Sequence, residues 1–245
     1  MLYFIIQARL GSTRLPGKIL LPFHDGKSIF ELMLDKFGAI EGTGCIVATS
    51  ASPANDELEE ICARKGVKCF RGSEDDVLQR FIDAAEAYGA DRIIRVCSDN
   101  PFLNIPSVRE LIAAASSGDW DYISFDVGGV PSIRTHYGFW TEYVTLAALK
   151  KVKSLTSEQL YHEHVTNYIY SHPDAFRIKW LGVPPVVLEN GGVRLTIDTA
   201  QDFENARAVY AATEDRDSFE SVFASIRAAD GIAESMKNQI INNSK

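Results

Sequence analysis

The chain has 245 residues, 46% of them hydrophobic and 24% charged, with no low-complexity tract, which fits a folded globular protein and excludes a disordered one. A formal net charge of −8 removes any overall attraction to nucleic acid or anionic lipid, so a cluster of cations on this background is a local device. No apolar run reaches the roughly 18–20 residues needed to span a bilayer, and the opening MLYFIIQAR is too short for a secretion signal, so a cytoplasmic protein without nucleic-acid or membrane partners is expected.

Short β-branched or aromatic runs at 2–7, 44–50, 67–70, 91–98 and 120–125 alternate with helical patterns near 28–38, 55–65, 75–88 and 106–116. This repetition predicts a mostly parallel sheet with helices on both faces. Asp56 with Glu59, and Ser73 ahead of three acidic residues, mark two expected helix starts. Beyond residue 125 the pattern loosens. Residues 128–143 read as a loop with short strands, 157–171 as one amphipathic helix, 176–183 and 193–199 as strands, and 200 onward as helix up to a frayed NNSK end. No linker or internal repeat is visible, so residues 1–245 are expected to form one domain, with 126–190 as an elaboration. Trp140, Tyr143 and Tyr161 in that segment are candidates for a dimer face or for core. Cys45, Cys62, Cys69 and Cys97 show no metal-type spacing and are read as reduced packing thiols.

Ligands of open α/β sheets gather at the carboxyl ends of the strands. The first strand delivers Gln7 and then Arg9, Gly11, Ser12, Arg14 and Lys18, cations on a glycine-punctuated loop that can grip a polyphosphate. The loop is neither a Walker A sequence nor a GxGxxG turn, which removes the P-loop kinase and dinucleotide readings. Taken alone it could equally be a solvated turn. Thr49, Ser50 and Asn55 follow the second strand, and Arg71, Gly72 and Ser73 the third, where a flat base could approach glycine backbone. Asp99 closes the fourth strand and Asp198 the late one. Each could cap a helix, or the pair could offer the hard oxygens that hydrated Mg²⁺ takes beside phosphate. His162 and His164, two apart, disfavour joint metal binding and read as separate hydrogen-bonding groups.

Five blocks, IIQARLGSTRLPGKIL, NDELEEICARKGVKCFRGSEDDVLQRF, IIRVCSDNPFL, EHVTNYIYSHPDAFRI and RLTIDTAQDFE, together resemble the cytidylyltransferases of the spore coat polysaccharide type. These are relatives of the 3-deoxy-manno-octulosonate and acylneuraminate cytidylyltransferases. The resemblance implies a nucleotide-diphospho-sugar transferase (GT-A-like) fold, often dimeric, and therefore a homodimer. It implies a triphosphate loop of Arg9, Ser12, Arg14 and Lys18, Mg²⁺ on Asp99 and Asp198, and a base near Arg71, Gly72 and Ser73. On the acceptor side it points to Glu142, Glu163 and His164. The implied reaction is transfer of CMP from CTP to a sugar, a keto-sugar acid in the relatives, with loss of pyrophosphate. SDNPF stands where the octulosonate enzymes carry a glycine-aspartate-glutamate run, which leaves the sugar open. The rival readings are a GTP- or UTP-dependent nucleotidyltransferase acting on a sugar 1-phosphate, a glycosyltransferase consuming a nucleotide-sugar, and a non-catalytic pathway partner.

Overall fold

The side chains of strand β1 (Leu2–Gln7) alternate between two apolar layers. Phe4 and Ile6 enter one layer and Tyr3 and Ile5 the other, all four buried. A strand covered on both faces belongs in the interior of a sheet. The computed structural model describes residues 1–243; Ser244 and Lys245, part of the expected frayed end, lie outside the described residues.

A hairpin of β2 (Pro22–His24) and β3 (Lys27–Ser28) leads into helix α1 (Ile29–Gly38), followed by β4 (Gly44–Ser50), α2 (Asp56–Lys65), β5 (Lys68–Gly72), α3 (Val77–Ala87), β6 (Arg92–Cys97), α4 (Ile105–Ser116) and β7 (Tyr122–Val127). The next segment carries β8 (Val130–Pro131), β9 (Glu142–Thr145), α5 (Leu146–Leu155), α6 (Gln159–Glu163), α7 (Asn167–Ser171), β10 (Ile178–Gly182) and α8 (Pro185–Glu189), and the chain closes with α9 (Ala200–Ala212), α10 (Phe219–Ala228) and α11 (Ile232–Asn242). The sheet runs β10-β7-β9-β6-β1-β4-β5, with β8 on β7. Its pairings are parallel except those made by β8 and β9.

The mostly parallel sheet with helices on both faces is therefore present, with four local differences. Residues 193–199 form no strand; 193–197 are buried, and the amides of Leu195 and Thr196 donate to the His136 carbonyl while that of Ile197 donates to the Asp99 carbonyl. The expected helix over 157–171 is broken into α6 and α7 at His164, whose φ −102° and ψ 69° are not helical. Helix α3 is capped by Asp76, which accepts from the Gln79 amide at 2.8 Å, and Ser73 instead accepts from the Asp76 amide. Asp56 is the first residue of α2 rather than its cap; the cap position falls to Asn55, whose side chain is engaged by Leu10 and Ser50 instead. Trp140 and Tyr143 lie in the core rather than on a surface. Among the described residues no helix is long and apolar enough to cross a membrane.

Phe81 of α3 is fully buried beneath β1 and β4. Phe81→Ala is expected to cost about 3–5 kcal/mol in urea unfolding, the usual cost of a cavity left by a core aromatic, whereas Leu188→Ala at an exposed position should change stability by less than about 0.5 kcal/mol.

Candidate active site

Loop 8–18 leaves the carboxyl end of β1 and folds back on itself. The amides of Ser12 and Gly17 both donate to the Leu10 carbonyl, a closure that sets Gly17 at φ +66°, where a side chain would be strained. Asn55 fixes the loop from the neighbouring strand end, accepting from the Leu10 amide at 2.9 Å and donating to Ser50 Oγ at 2.7 Å. Ser50 and Asn55 are thus buried supports of the loop, and neither they nor the buried Thr49 line the cleft beside it.

That cleft has a volume of about 360 Å³. It gathers Gln7, Arg9, Gly11, Ser12, Arg14 and Lys18 from the first strand and loop, with Asp99, Glu163, His164 and Asp198 opposite. Lys18 Nζ lies 3.0 Å from Asp99 and 3.8 Å from Asp198, and it donates to the Ile197 carbonyl as well. Arg14 reaches Asp198 Oδ1 at 2.9 Å. Arg9 stands 3.9 Å from Glu163. Loop cations and rim carboxylates, more than 80 positions apart in sequence, share one chamber.

Among the described residues no three His, Cys, Asp or Glu side chains converge as a closed metal cage. Two carboxylates that both approach the Lys18 ammonium, at 3.0 and 3.8 Å, in one cleft are, however, the kind of donor a hydrated hard cation takes when water and phosphate complete its shell. Asp99 and Asp198 therefore fit a divalent cation.

A wider cavity of about 660 Å³ adjoins the first and shares Arg14, Arg95, Cys97, Asp99 and His164 with it. Arg134, Trp140, Thr166 and Asn167 are among its other walls. Glu142, expected on the acceptor side, cannot reach either space: it is 1% exposed and pairs with Arg95 at 2.7 Å. Its oxygens also accept from the hydroxyls of Tyr122 and Thr166. Burial, with the Glu142 charge next to it, pushes the Tyr122 hydroxyl well above its ordinary value, so it stays a donor. Glu142 acts on the site through Arg95, which also donates to Gln7 at 3.3 Å, and through Thr166, a wall of the wider cavity.

Arg71, Gly72 and Ser73 line neither space. Arg71 is held by Asp56 at 2.7 Å and Glu59 at 2.8 Å, and a Cβ on Gly72 would lie 2.9 Å from the Phe70 ring, so this glycine serves packing of its own strand. His162 is a buried support, between Asp76 at 2.9 Å and the Thr156 carbonyl at 3.1 Å.

Asp198 is anchored from behind. Arg194, fully buried, reaches Asp198 Oδ2 at 2.8 Å and both oxygens of Asp202, at 2.8 and 3.1 Å. Burial alone would raise the Asp202 carboxyl, but Arg194 and the amides of Thr199 and Asp198 bring it below the usual range. Sequence reading passed over Arg95, Arg194 and Asp202. The available signal was a charged residue inside an apolar run, RIIRVC in one case and VRLTI in the other.

A parallel sheet with loop cations and carboxylates at its carboxyl edge defines an α/β protein of the nucleotidyltransferase type. The chain belongs to the cytidylyltransferase family, whose sequence pattern matches residues 3–227. It is 34% identical over 222 residues, 87% of this chain and 88% of the relative, to the spore coat polysaccharide biosynthesis protein SpsF of Bacillus subtilis (strain 168). The structure of a cytidylyltransferase from Leptospira borgpetersenii superposes with a TM-score of 0.80 at 27% identity, covering 95% of this chain and 96% of that one. A CMP-2-keto-3-deoxy-manno-octonic acid synthetase complexed with CTP shares the fold, with a TM-score of 0.63 at 16% identity over 86% of this chain and 98% of that one.

Glu142→Gln would leave the buried Arg95 without its counter-charge. We expect a loss of about 3–5 kcal/mol in urea unfolding, against less than about 0.5 kcal/mol for Glu204→Gln in the exposed Arg207 pair.

Proposed function

We propose that the protein transfers CMP from CTP to a sugar, a keto-sugar acid, and releases pyrophosphate, in the making of a surface or spore coat polysaccharide. The observation that carries this reading is the meeting of two cavities at Arg14, Asp99 and His164, one lined by a polycationic loop and the other large enough for a sugar. Membership of the family and the names of the relatives point the same way.

On this reading the triphosphate lies along loop 8–18. An acceptor hydroxyl in the wider cavity attacks the α-phosphorus; the new P–O bond forms to the sugar as the bond to pyrophosphate breaks. Phosphoryl centres need positioning and charge neutralisation more than covalent help. Arg9, Arg14 and Lys18 neutralise the departing pyrophosphate through charge-assisted hydrogen bonds. Asp99 and Asp198 would hold Mg²⁺, which when bound would supply positive charge against the phosphates and Lewis acidity. His164, on the wall common to both cavities, can accept a hydrogen bond from the acceptor hydroxyl. Arg134 gives the wider cavity a guanidinium for a sugar carboxylate, which supports an acidic acceptor. Segment 126–190 then furnishes most of the acceptor wall, and a homodimer belongs to the same proposal.

Lys18→Ala and Asp99→Asn should each lower turnover by about two decades or more while the far-ultraviolet spectrum stays unchanged, as read by pyrophosphate release with CTP and a panel of keto-sugar acids. Pyrophosphate release near the unmodified rate in either variant would sink the assignment. CTP with Mg²⁺ at 100 times its dissociation constant should stabilise the fold by about 2.7 kcal/mol in thermal unfolding. A shift with UTP, GTP or ATP but none with CTP would reassign the base.

A further inference from the structure

Asp198 comes from an irregular segment, and no ladder of backbone hydrogen bonds fixes the direction of its carboxylate. Side chains do that work. Oδ2 accepts from Arg194 Nη2 at 2.8 Å, and Oδ1 faces Arg14 at 2.9 Å inside the cleft. Arg194 is itself immobilised. Its Nε and Nη2 fork onto the two oxygens of Asp202, and its Nη1 meets His136 Nδ1 at 2.8 Å. Asp202 Oδ2 also accepts from the amides of Asp198 at 3.1 Å and Thr199 at 2.9 Å, so one carboxylate at the start of α9 holds both the backbone of residue 198 and the guanidinium on its side chain. Arg194 and Asp202 are each 1% exposed, out of reach of any ligand in the cleft.

We propose that Arg194, clamped by Asp202, is a positioning residue that ties down one oxygen of Asp198 and aims the other into the cleft toward a divalent cation. This rests on the nucleotidyl-transfer reading, in which Asp198 meets that cation. A planar fork is required because three oxygens on two carboxylates are held at once; a lysine ammonium keeps the charge but not the geometry. Without the fork, Asp198 rotates toward Arg14 and Lys18, which already compete for Oδ1. Groups that orient a metal-binding carboxylate from behind typically change metal affinity by about 10–100-fold when altered.

The test is the binding of Mn²⁺ in the presence of CTP, followed by electron paramagnetic resonance of free Mn²⁺ with the full chain, so that no turnover is needed. Arg194→Lys and Asp202→Asn should each weaken Mn²⁺ by about 10-fold or more while loop 8–18 keeps its hold on CTP measured without metal. Asp198→Asn sets the scale for complete loss of that ligand. A merely structural role would lower the thermal midpoint and leave Mn²⁺ affinity of the folded fraction unchanged. That outcome in either variant, with Asp198→Asn defective, overturns the inference alone. Should Arg194→Lys fail to fold, the near-isosteric Asp202→Asn carries the reading by itself. No CTP-dependent Mn²⁺ binding by the unmodified chain would overturn the metal-dependent transfer reading together with this one.

Discussion

Lys18 holds together three pieces of chain that share no secondary structure. Its ammonium contacts Asp99 behind β6, Asp198 in the segment before α9, and the Ile197 carbonyl beside it. The side chain is only 12% exposed, so its charge requires those partners. The loop that carries it cannot drift from the sheet without stranding a cation, and the segment that carries Asp198 cannot leave without stranding carboxylates between Arg14 and Arg194. The site is thus held by opposite charges that would each be costly alone. A polyanion entering the cleft meets cations already spaced by carboxylates rather than a repulsive cluster that collapses upon it.

Behind this row stands a second level of ion pairs, nearly sealed from water. Arg95 with Glu142 lies under the boundary of the two cavities, and Arg194 with Asp202 lies under Asp198. Both pairs carry additional hydrogen bonds, from Tyr122 and Thr166 in one case and from backbone amides in the other. Buried pairs of this kind add little net stability over apolar residues of equal size, but breaking one half is expensive. Their effect here is directional: each fixes a side chain facing the cleft in one orientation.

The parallel half of the sheet was legible because each strand is a short apolar run with a periodic helix after it, and local pattern decides such elements. The loop and its two aspartates were legible for a related reason, since residues at strand ends in this architecture converge on one edge. What could not be read was which polar side chains at that edge turn inward. Asn55 and Arg71 have the composition of site residues, but the loop amide claims one and two acidic residues of α2 claim the other. Glu142 fails for a different reason. It sits in β9, an antiparallel strand lodged between β6 and β7, and residue spacing carries no sign that a glutamate there faces Arg95 across the ladder. Residues 193–199 look like a strand because a buried segment selects the same apolar and β-branched residues whether or not it pairs.

The lodging of β9 between β6 and β7 also divides the cleft by ancestry of chain. Gln7, the loop cations and Asp99 precede residue 100, whereas Arg134, Trp140, Thr166 and Asn167 of the wider cavity, and Glu163, His164 and Asp198 of the first, come from later chain. The two groups meet across a single ladder, β6 against β9, in which Arg95 stands opposite Glu142. A scaffold divided in this way lets one wall diverge while the other is retained, provided the Arg95–Glu142 rung survives. On the proposed reading the rung joins a nucleotide half to a sugar half, and grafting between family members would succeed or fail at that seam.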